Sequence, residues 1–240
     1  MDFFLAGEHL RCVSCRTDIF DDGYLCPDCQ EKLPFISKGN YCRHCGRKTA
    51  IMTNYCDTCK NVLTNIDLGR SVFSYEDDIV RLVTGYKFRD SRYLKTFFAT
   101  EMCKKVKDAD ITADLITYVP MTDKAKKQRG FNQSEYLARE LSKRLGLPLL
   151  SVLEKVKETH KQVGLSRNER LKNLEDAFKV TDKKLVGGKC VLIVDDVTTT
   201  GATAEVLATR LKKAGAKQVF LISIASVGDI KKEGDSNGIN

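Results

Sequence analysis

The chain has 240 residues, 42% hydrophobic and 30% charged, with a formal net charge of +8. That length holds one full domain plus a small one, and the apolar share is enough for a real core. The absence of any apolar run of 18 or more residues argues against a membrane span. Residues Met1–Leu5 lack the basic and long apolar regions of a secretion signal, so a cytoplasmic protein is expected. Residues 1–60 carry eight Lys/Arg and eight Asp/Glu, which leaves 32 basic against 24 acidic side chains in residues 61–240. That surplus suits an anionic ligand or a nucleic acid without requiring either.

Eight of the ten cysteines precede residue 60, in four Cys-x-x-Cys pairs: Cys12/Cys15, Cys26/Cys29, Cys42/Cys45 and Cys56/Cys59. Adding 30 to each position of the first two pairs gives the last two, so a ligand set is repeated. A Cys-x-x-Cys turn points two thiolates at one ion, and two turns complete a tetrahedral zinc site. So short a segment buries little core, and metal binding supplies the missing folding energy. Four protein ligands leave no open position, which predicts two structural zinc sites. One zinc per repeat is the simplest pairing, and an interleaved one stays open. His44 reads as a bystander. Filled four-cysteine sites give the neutral module a charge of about −4. It is therefore expected to make protein contacts or pack, although Arg43, Arg47 and Lys48 could form a local basic patch. Cys103 and Cys190 stand alone and read as small buried residues.

The expected division is a double zinc module at 1–62, a larger domain at 70–228 and a polar tail at 229–240, with a connector at 61–70. A strand is predicted at Ser71–Tyr75 and helical segments over 77–107, broken near Asp90-Ser91. Asp114–Val119 reads as the next strand, ended by Pro120. A helix follows over Asn132–Leu145, and another over Ala204–Ala214. Further strands are expected at 149–153, 177–180, 190–194 and 218–225. This alternation predicts an α/β fold with a mainly parallel sheet flanked by helices on both sides.

The most informative segment is Val191-Leu-Ile-Val-Asp195-Asp196-Val-Thr198-Thr199-Thr200-Gly201-Ala202-Thr203. An apolar strand ends in two carboxylates, and a hydroxyl-rich loop then opens a helix. Ligands of open α/β sheets bind at this edge. Backbone N–H groups and threonine hydroxyls there suit a phosphate, and adjacent carboxylates suit paired ribose hydroxyls. Gly201 permits close backbone approach. A bare Mg2+ site and a bare helix cap are the plainer readings of the two halves, and the whole string disfavours both. No Gly-Lys-Ser/Thr ending is present, which excludes a Walker loop.

Other candidates surround it. Lys124, Lys126, Lys127 and Arg129 read as a basic loop able to clamp a pyrophosphate, as do Lys87 and Arg89. Asn132 and Gln133 would donate to an oxyanion or cap the helix they begin. His160, Lys161, Arg167 and Arg170 lie in a stretch suited to a mobile lid. Tyr86, Phe88, Tyr93 and Phe131 lie near basic residues, a mixture that also fits stacking on single-stranded DNA.

The 13-residue string resembles the phosphoribosyl pyrophosphate (PRPP) signature of type I phosphoribosyltransferases, with Thr198 where many members carry an aliphatic residue. Together with the cysteine repeat, it is similar to the ComF competence-protein family. Tyr86-Lys87-Phe88-Arg89-Asp90 and Arg129-Gly130-Phe131-Asn132-Gln133 extend the likeness, as do Thr159, Gln162, Leu165, Arg170, Asn173 and Ala177-Phe178. The resemblance implies a type I phosphoribosyltransferase-like domain behind a double zinc ribbon. It implies that Asp195 and Asp196 act on the ribose of PRPP. Thr198, Thr199, Thr200, Gly201, Ala202 and Thr203 would hold the 5-phosphate. Lys87, Arg89, Lys127, Arg129, Asn132 and Gln133 would take up pyrophosphate with Mg2+. It further implies a role in uptake of transforming single-stranded DNA at the cytoplasmic face of the membrane, with uptake-machinery partners that include a helicase-type protein. A working phosphoribosyltransferase with an unidentified acceptor and a non-catalytic nucleic-acid or partner adaptor are the alternatives. No acceptor pocket is legible in the sequence.

Overall fold

The computed structural model describes residues 11–19, 23–36, 40–60, 65–88, 91, 93–158, 174 and 176–228. Two short helices, α1 (Pro27–Lys32) and α2 (Asp57–Lys60), belong to the cysteine repeats. The larger part begins with β1 (Leu68–Ser74), α3 (Asp77–Phe88), α4 (Leu94–Asp108) and β2 (Leu115–Tyr118). It continues with α5 (Asp123–Arg129), α6 (Gln133–Leu145), β3 (Leu153–Lys155) and β4 (Phe178–Val180). It closes with β5 (Cys190–Thr198), α7 (Ala202–Lys213) and β6 (Gln218–Ser226).

The main sheet has the order β1-β6-β5-β2 with every neighbouring pair parallel. Its strands carry nearly continuous apolar runs because both faces are covered. Along β5, Leu192 and Val194 join a core with α3, α4 and α6, while Val191 and Ile193 join another with α7 and the β3–β4 pair. The chain therefore has the expected α/β architecture, a parallel sheet flanked by helices on both sides.

Several elements differ from the sequence expectation. The stretch near 149–153 meets the edge of the parallel sheet at its start, where Ile116 N donates to Pro148 O and Leu150 N to Ile116 O, but its remainder and 177–180 pair elsewhere. Leu149 touches Ile116 by a single bridge, and β3 pairs with β4 in an antiparallel ribbon of its own. Each is too short to span the sheet, and edge pairing satisfies its backbone locally. The end of the expected connector is drawn into β1, which starts at Leu68. The expected basic loop at 124–129 is helix α5. Thr122 caps it by accepting from Ala125 N, Asp123 sits in its first turn, and Gly130 ends it at φ 82°. Cap, charge placement and left-handed terminator make a short helix of the segment expected to be a basic loop. Cys103 is buried as expected, whereas Cys190 is half-buried at the start of β5.

The first cysteine repeat shares the core of the larger domain, while the cysteines of the second form a small cluster of their own. Cys12, Val13, Ile19, Leu25 and Leu33 share a cluster with Phe73, Phe97 and Leu82. Residues 34–36 pair antiparallel with the outer edge of β1 through Ile36 N to Val72 O and Ser74 N to Pro34 O, at 2.9 and 2.8 Å. This covers a sheet edge that would otherwise stay open. The second repeat docks lower on the same strand. There Gly69 N donates to His44 O at 2.6 Å, and a Cβ on Gly46 would lie 2.5 Å from Arg70 Cα.

Candidate functional site

The eight cysteine sulfurs gather by repeat: Cys12, Cys15, Cys26 and Cys29 in one group, Cys42, Cys45, Cys56 and Cys59 in the other, each within 4.8 Å. Interleaving is thereby ruled out. A tetrahedral Zn–S length of about 2.3 Å places sulfurs about 3.8 Å apart. Cys15–Cys26, Cys45–Cys56 and Cys42–Cys59 measure 3.6, 3.7 and 4.0 Å. The donor set and its geometry fit structural zinc. The amide of Cys56 donates to Cys42 Sγ at 3.2 Å, which disperses thiolate charge. His44 is outside the group, and its ring lies 5.3 Å from that of Tyr55.

In the larger domain, β5 runs four residues beyond the expected end, because β6 keeps pairing with it as far as Thr198↔Ser226. Asp195 and Asp196 thus lie within a paired strand, which limits their freedom. Asp195 Oδ1 accepts from Asp196 N at 2.8 Å and from Ser134 Oγ at 3.4 Å. Burial, reinforced by the Asp196 charge and opposed by that amide and Lys87, pushes its pKa up to about 7. Asp196 accepts from Val197 N at 2.6 Å and ion-pairs with Lys87 Nζ at 3.1 Å. Lys87, at the end of α3, is therefore brought to the acid pair. Arg89, the Thr159–Asn173 positions and the expected lid lie outside the described residues.

The loop after β5 is short. Thr198 is buried with its Oγ1 lacking a partner among the described residues, whereas Thr199 and Thr200 are exposed. Thr198 O accepts from Val227 N at 3.0 Å, and Thr200 Oγ1 accepts from Ala202 N at 3.3 Å. Gly201 caps α7 at φ 78°, and the nearest atom to an added Cβ is 3.9 Å away. Glycine is required there by the left-handed backbone, not by crowding.

Asn132 is the N-cap of α6: its side-chain oxygen accepts from Ser134 N and Glu135 N, and its Nδ2 donates to Val119 O at 3.0 Å. Gln133 is buried too, and its Nε2 lacks a partner among the described residues. A cavity of about 360 Å³ joins the acid pair to the start of α6, and of the predicted phosphate-loop residues Thr203 lines it while Thr198–Ala202 do not. Its walls include Asp195, Asp196, Thr203, Asn132, Gln133, Ser134 and Arg129, with Val119, Met121, Leu174, Phe178 and Lys155 on the remaining sides. Of the predicted basic cluster, Arg129 reaches the cavity. Lys126 pairs with Glu135 at 3.1 Å, and Lys127 is exposed outside the walls. Sequence reading missed Ser134 and Lys155, which carry no local motif, and named Phe178 as part of the family likeness without placing it in the site. Phe178 and Lys155 come from the β3–β4 ribbon, and burial pushes the Lys155 pKa down.

The four aromatic candidates divide. Tyr86 and Phe131 are core residues, the first donating its hydroxyl to Gln133 O at 2.9 Å. Phe88 and Tyr93 are exposed, with Arg129 4.9 Å from the first ring and Arg16 5.2 Å from the second.

Residues 6–60 match the model of the double zinc ribbon domain, and residues 132–237 that of the phosphoribosyl transferase domain. Competence protein F of Haemophilus influenzae is 30% identical over 233 residues, covering 94% of this chain and 99% of that protein. Competence protein ComFC of Streptococcus pneumoniae is 30% identical over 234 residues, covering 93% and 99% respectively. Among solved structures, the glutamine PRPP amidotransferase of B. subtilis matches 62% of this chain and 28% of its own, at 21% identity and a TM-score of 0.39.

Proposed function

Because this chain belongs to the ComF family of competence proteins, we propose that it binds PRPP at the end of β5 and serves uptake of transforming single-stranded DNA at the cytoplasmic side of the membrane. One observation carries the first half: the paired carboxylates of β5, the start of α7 and the buried, open amide of Gln133 share a single cavity. The loop amides and threonine hydroxyls would take the 5-phosphate. Asp195 and Asp196, once ionised, would accept from the ribose hydroxyls. Arg129, Lys87 and Gln133 would face the pyrophosphate, with Asn132 fixing the start of α6 beside it. Lys127 and Arg89 remain candidates from the flanking segments. Mg2+ arriving with PRPP would neutralise the pyrophosphate.

The DNA half draws on the names of the relatives and on the exposed Phe88 and Tyr93 beside arginines, a pairing suited to stacking and phosphate contact. It predicts binding that weakens steeply with salt. Uptake-machinery proteins, including a helicase-type partner, would meet the protein at the inner membrane face.

A second reading is turnover. Val119, Leu174 and Phe178 give the same cavity an apolar side next to the acid pair, room for a flat acceptor that displaces pyrophosphate from ribose C1. Fixing phosphate, ribose and leaving group would then supply the catalysis.

The test is calorimetric titration of PRPP with Mg2+ into zinc-loaded protein and into an Asp195→Asn/Asp196→Asn variant. Saturable binding lost in the variant supports the reading. No binding by the folded wild type overturns it in favour of a non-catalytic adaptor.

A further inference from the structure

Arg47 follows Cys45 by two residues, and from sequence it belongs to a solvated patch with Arg43 and Lys48. The structure separates the three. Arg43 is exposed and Lys48 ion-pairs with Glu76, but Arg47 is only 5% exposed. Its Nη1 donates to Thr58 Oγ1 at 3.1 Å, and its Nη2 donates to the carbonyl oxygen of Thr199 at 3.0 Å. At the other end of the residue, its own carbonyl accepts from Cys42 N at 2.9 Å. Thr58 stands between the ligands Cys56 and Cys59. Arg47 is thus gripped on both sides by the second four-cysteine unit and reaches a residue 152 positions away in the candidate phosphate loop.

We infer that Arg47 is a positioning residue through which the second zinc unit holds the loop Thr199–Gly201 in its anion-receiving form. The physical reason lies in the peptide plane. In a trans peptide the C=O and the following N–H point in opposite directions. Tying the Thr199 carbonyl toward the zinc unit therefore turns the Thr200 N–H to the other side of the loop. Without that tie, the exposed Thr199–Thr200 peptide would lose its hold on the zinc-unit side, and a ligand would meet the entropy cost of ordering it. The bond is charge-assisted and its donor is buried, which makes it stronger than a bond between neutral, exposed groups. A planar guanidinium is also needed to serve two acceptors at once, which an ammonium does poorly. The ligand class is a phosphate monoester such as a ribose 5-phosphate. In that respect the inference rests on the PRPP reading above.

The experiment uses the full zinc-loaded chain with Arg47→Ala and Arg47→Lys. Zinc content, amide hydrogen exchange of the 197–203 segment without ligand, and calorimetric affinity for PRPP with Mg2+ are measured for each. The alanine variant should keep its zinc, exchange about tenfold faster in the loop, and bind about tenfold more weakly, the equivalent of about 1.4 kcal/mol. Lysine should restore only part of either. Unchanged loop exchange and affinity in a zinc-retaining alanine variant would overturn the inference. Should alanine shed the metal, the lysine variant decides by the same two readouts. Faster loop exchange in a chain whose wild type binds no PRPP would sink the PRPP reading alone and leave the hold of Arg47 on the loop intact.

Discussion

Replacing Asp195 by asparagine separates what this carboxyl does to the fold from what it does for a ligand. In the native protein burial and the adjacent Asp196 raise its pKa from 3.8 to about 7. Between those values the folded state keeps a proton that the unfolded chain has released, so its contribution to stability falls as pH rises through the window. Roughly three pH units at about 1.36 kcal/mol each set a ceiling of about 4 kcal/mol. Water in the open cavity screens part of this, and about 2 kcal/mol is expected. Asparagine has nearly the same shape and no such titration. In urea unfolding of zinc-loaded protein from about pH 5 to about pH 8, the variant should gain on the wild type by that amount. Titrating groups remote from Asp195 cancel in the difference. The same substitution should abolish PRPP binding, because a neutral amide presents one acceptor where the ribose needs a carboxylate. A stability difference constant across the range, or one that moves against the variant as pH rises, would refute the assignment of a buried, proton-holding Asp195.

Three other outcomes follow from the geometry. Fully loaded protein should contain two zinc ions per chain, one for each cysteine group, and Cys56→Ser should lower the metal content to about one with a clear drop in melting temperature. Gly46→Ala and Gly201→Ala both sit at positive φ, but only the first would drive a Cβ into backbone, 2.5 Å from Arg70 Cα. Thermal melts should therefore show a loss above about 3 kcal/mol for Gly46→Ala and about 1–2 kcal/mol for Gly201→Ala. Lys87→Met removes the cation at 3.1 Å from Asp196. It should cost about 1–3 kcal/mol at pH 8 and less at pH 5, where Asp195 holds a proton and no longer adds its charge beside Lys87, with Lys87→Arg recovering most of the loss in urea melts.

The residues that announced themselves in the sequence did so through short-range rules. Four Cys-x-x-Cys turns repeated at a spacing of 30 specify two tetrahedral sites, because each turn alone aims two sulfurs at one point. The run Val191–Val194 reads as a strand buried on both faces, and a glycine after three threonines reads as a loop that opens a helix. These features depend on neighbours a few residues apart. The α5 segment escaped such reading because its cap and terminator, Thr122 and Gly130, frame a lysine run that looks solvated.

What remained belonged to the tertiary structure. Whether the strands near 150 and 178 join the main sheet or pair with each other depends on edge partners far away in the chain. The raised pKa of Asp195 arises from burial, and the capture of Lys87 by Asp196 spans 109 positions from 87 to 196. The inward turn of Arg47 needed the docked cysteine unit and the phosphate loop side by side. By itself the chain's sequence determined which chemical groups exist and the local turns that present them. Only long-range packing decided which were brought face to face, because burial and pairing energies are properties of surroundings that no short window contains.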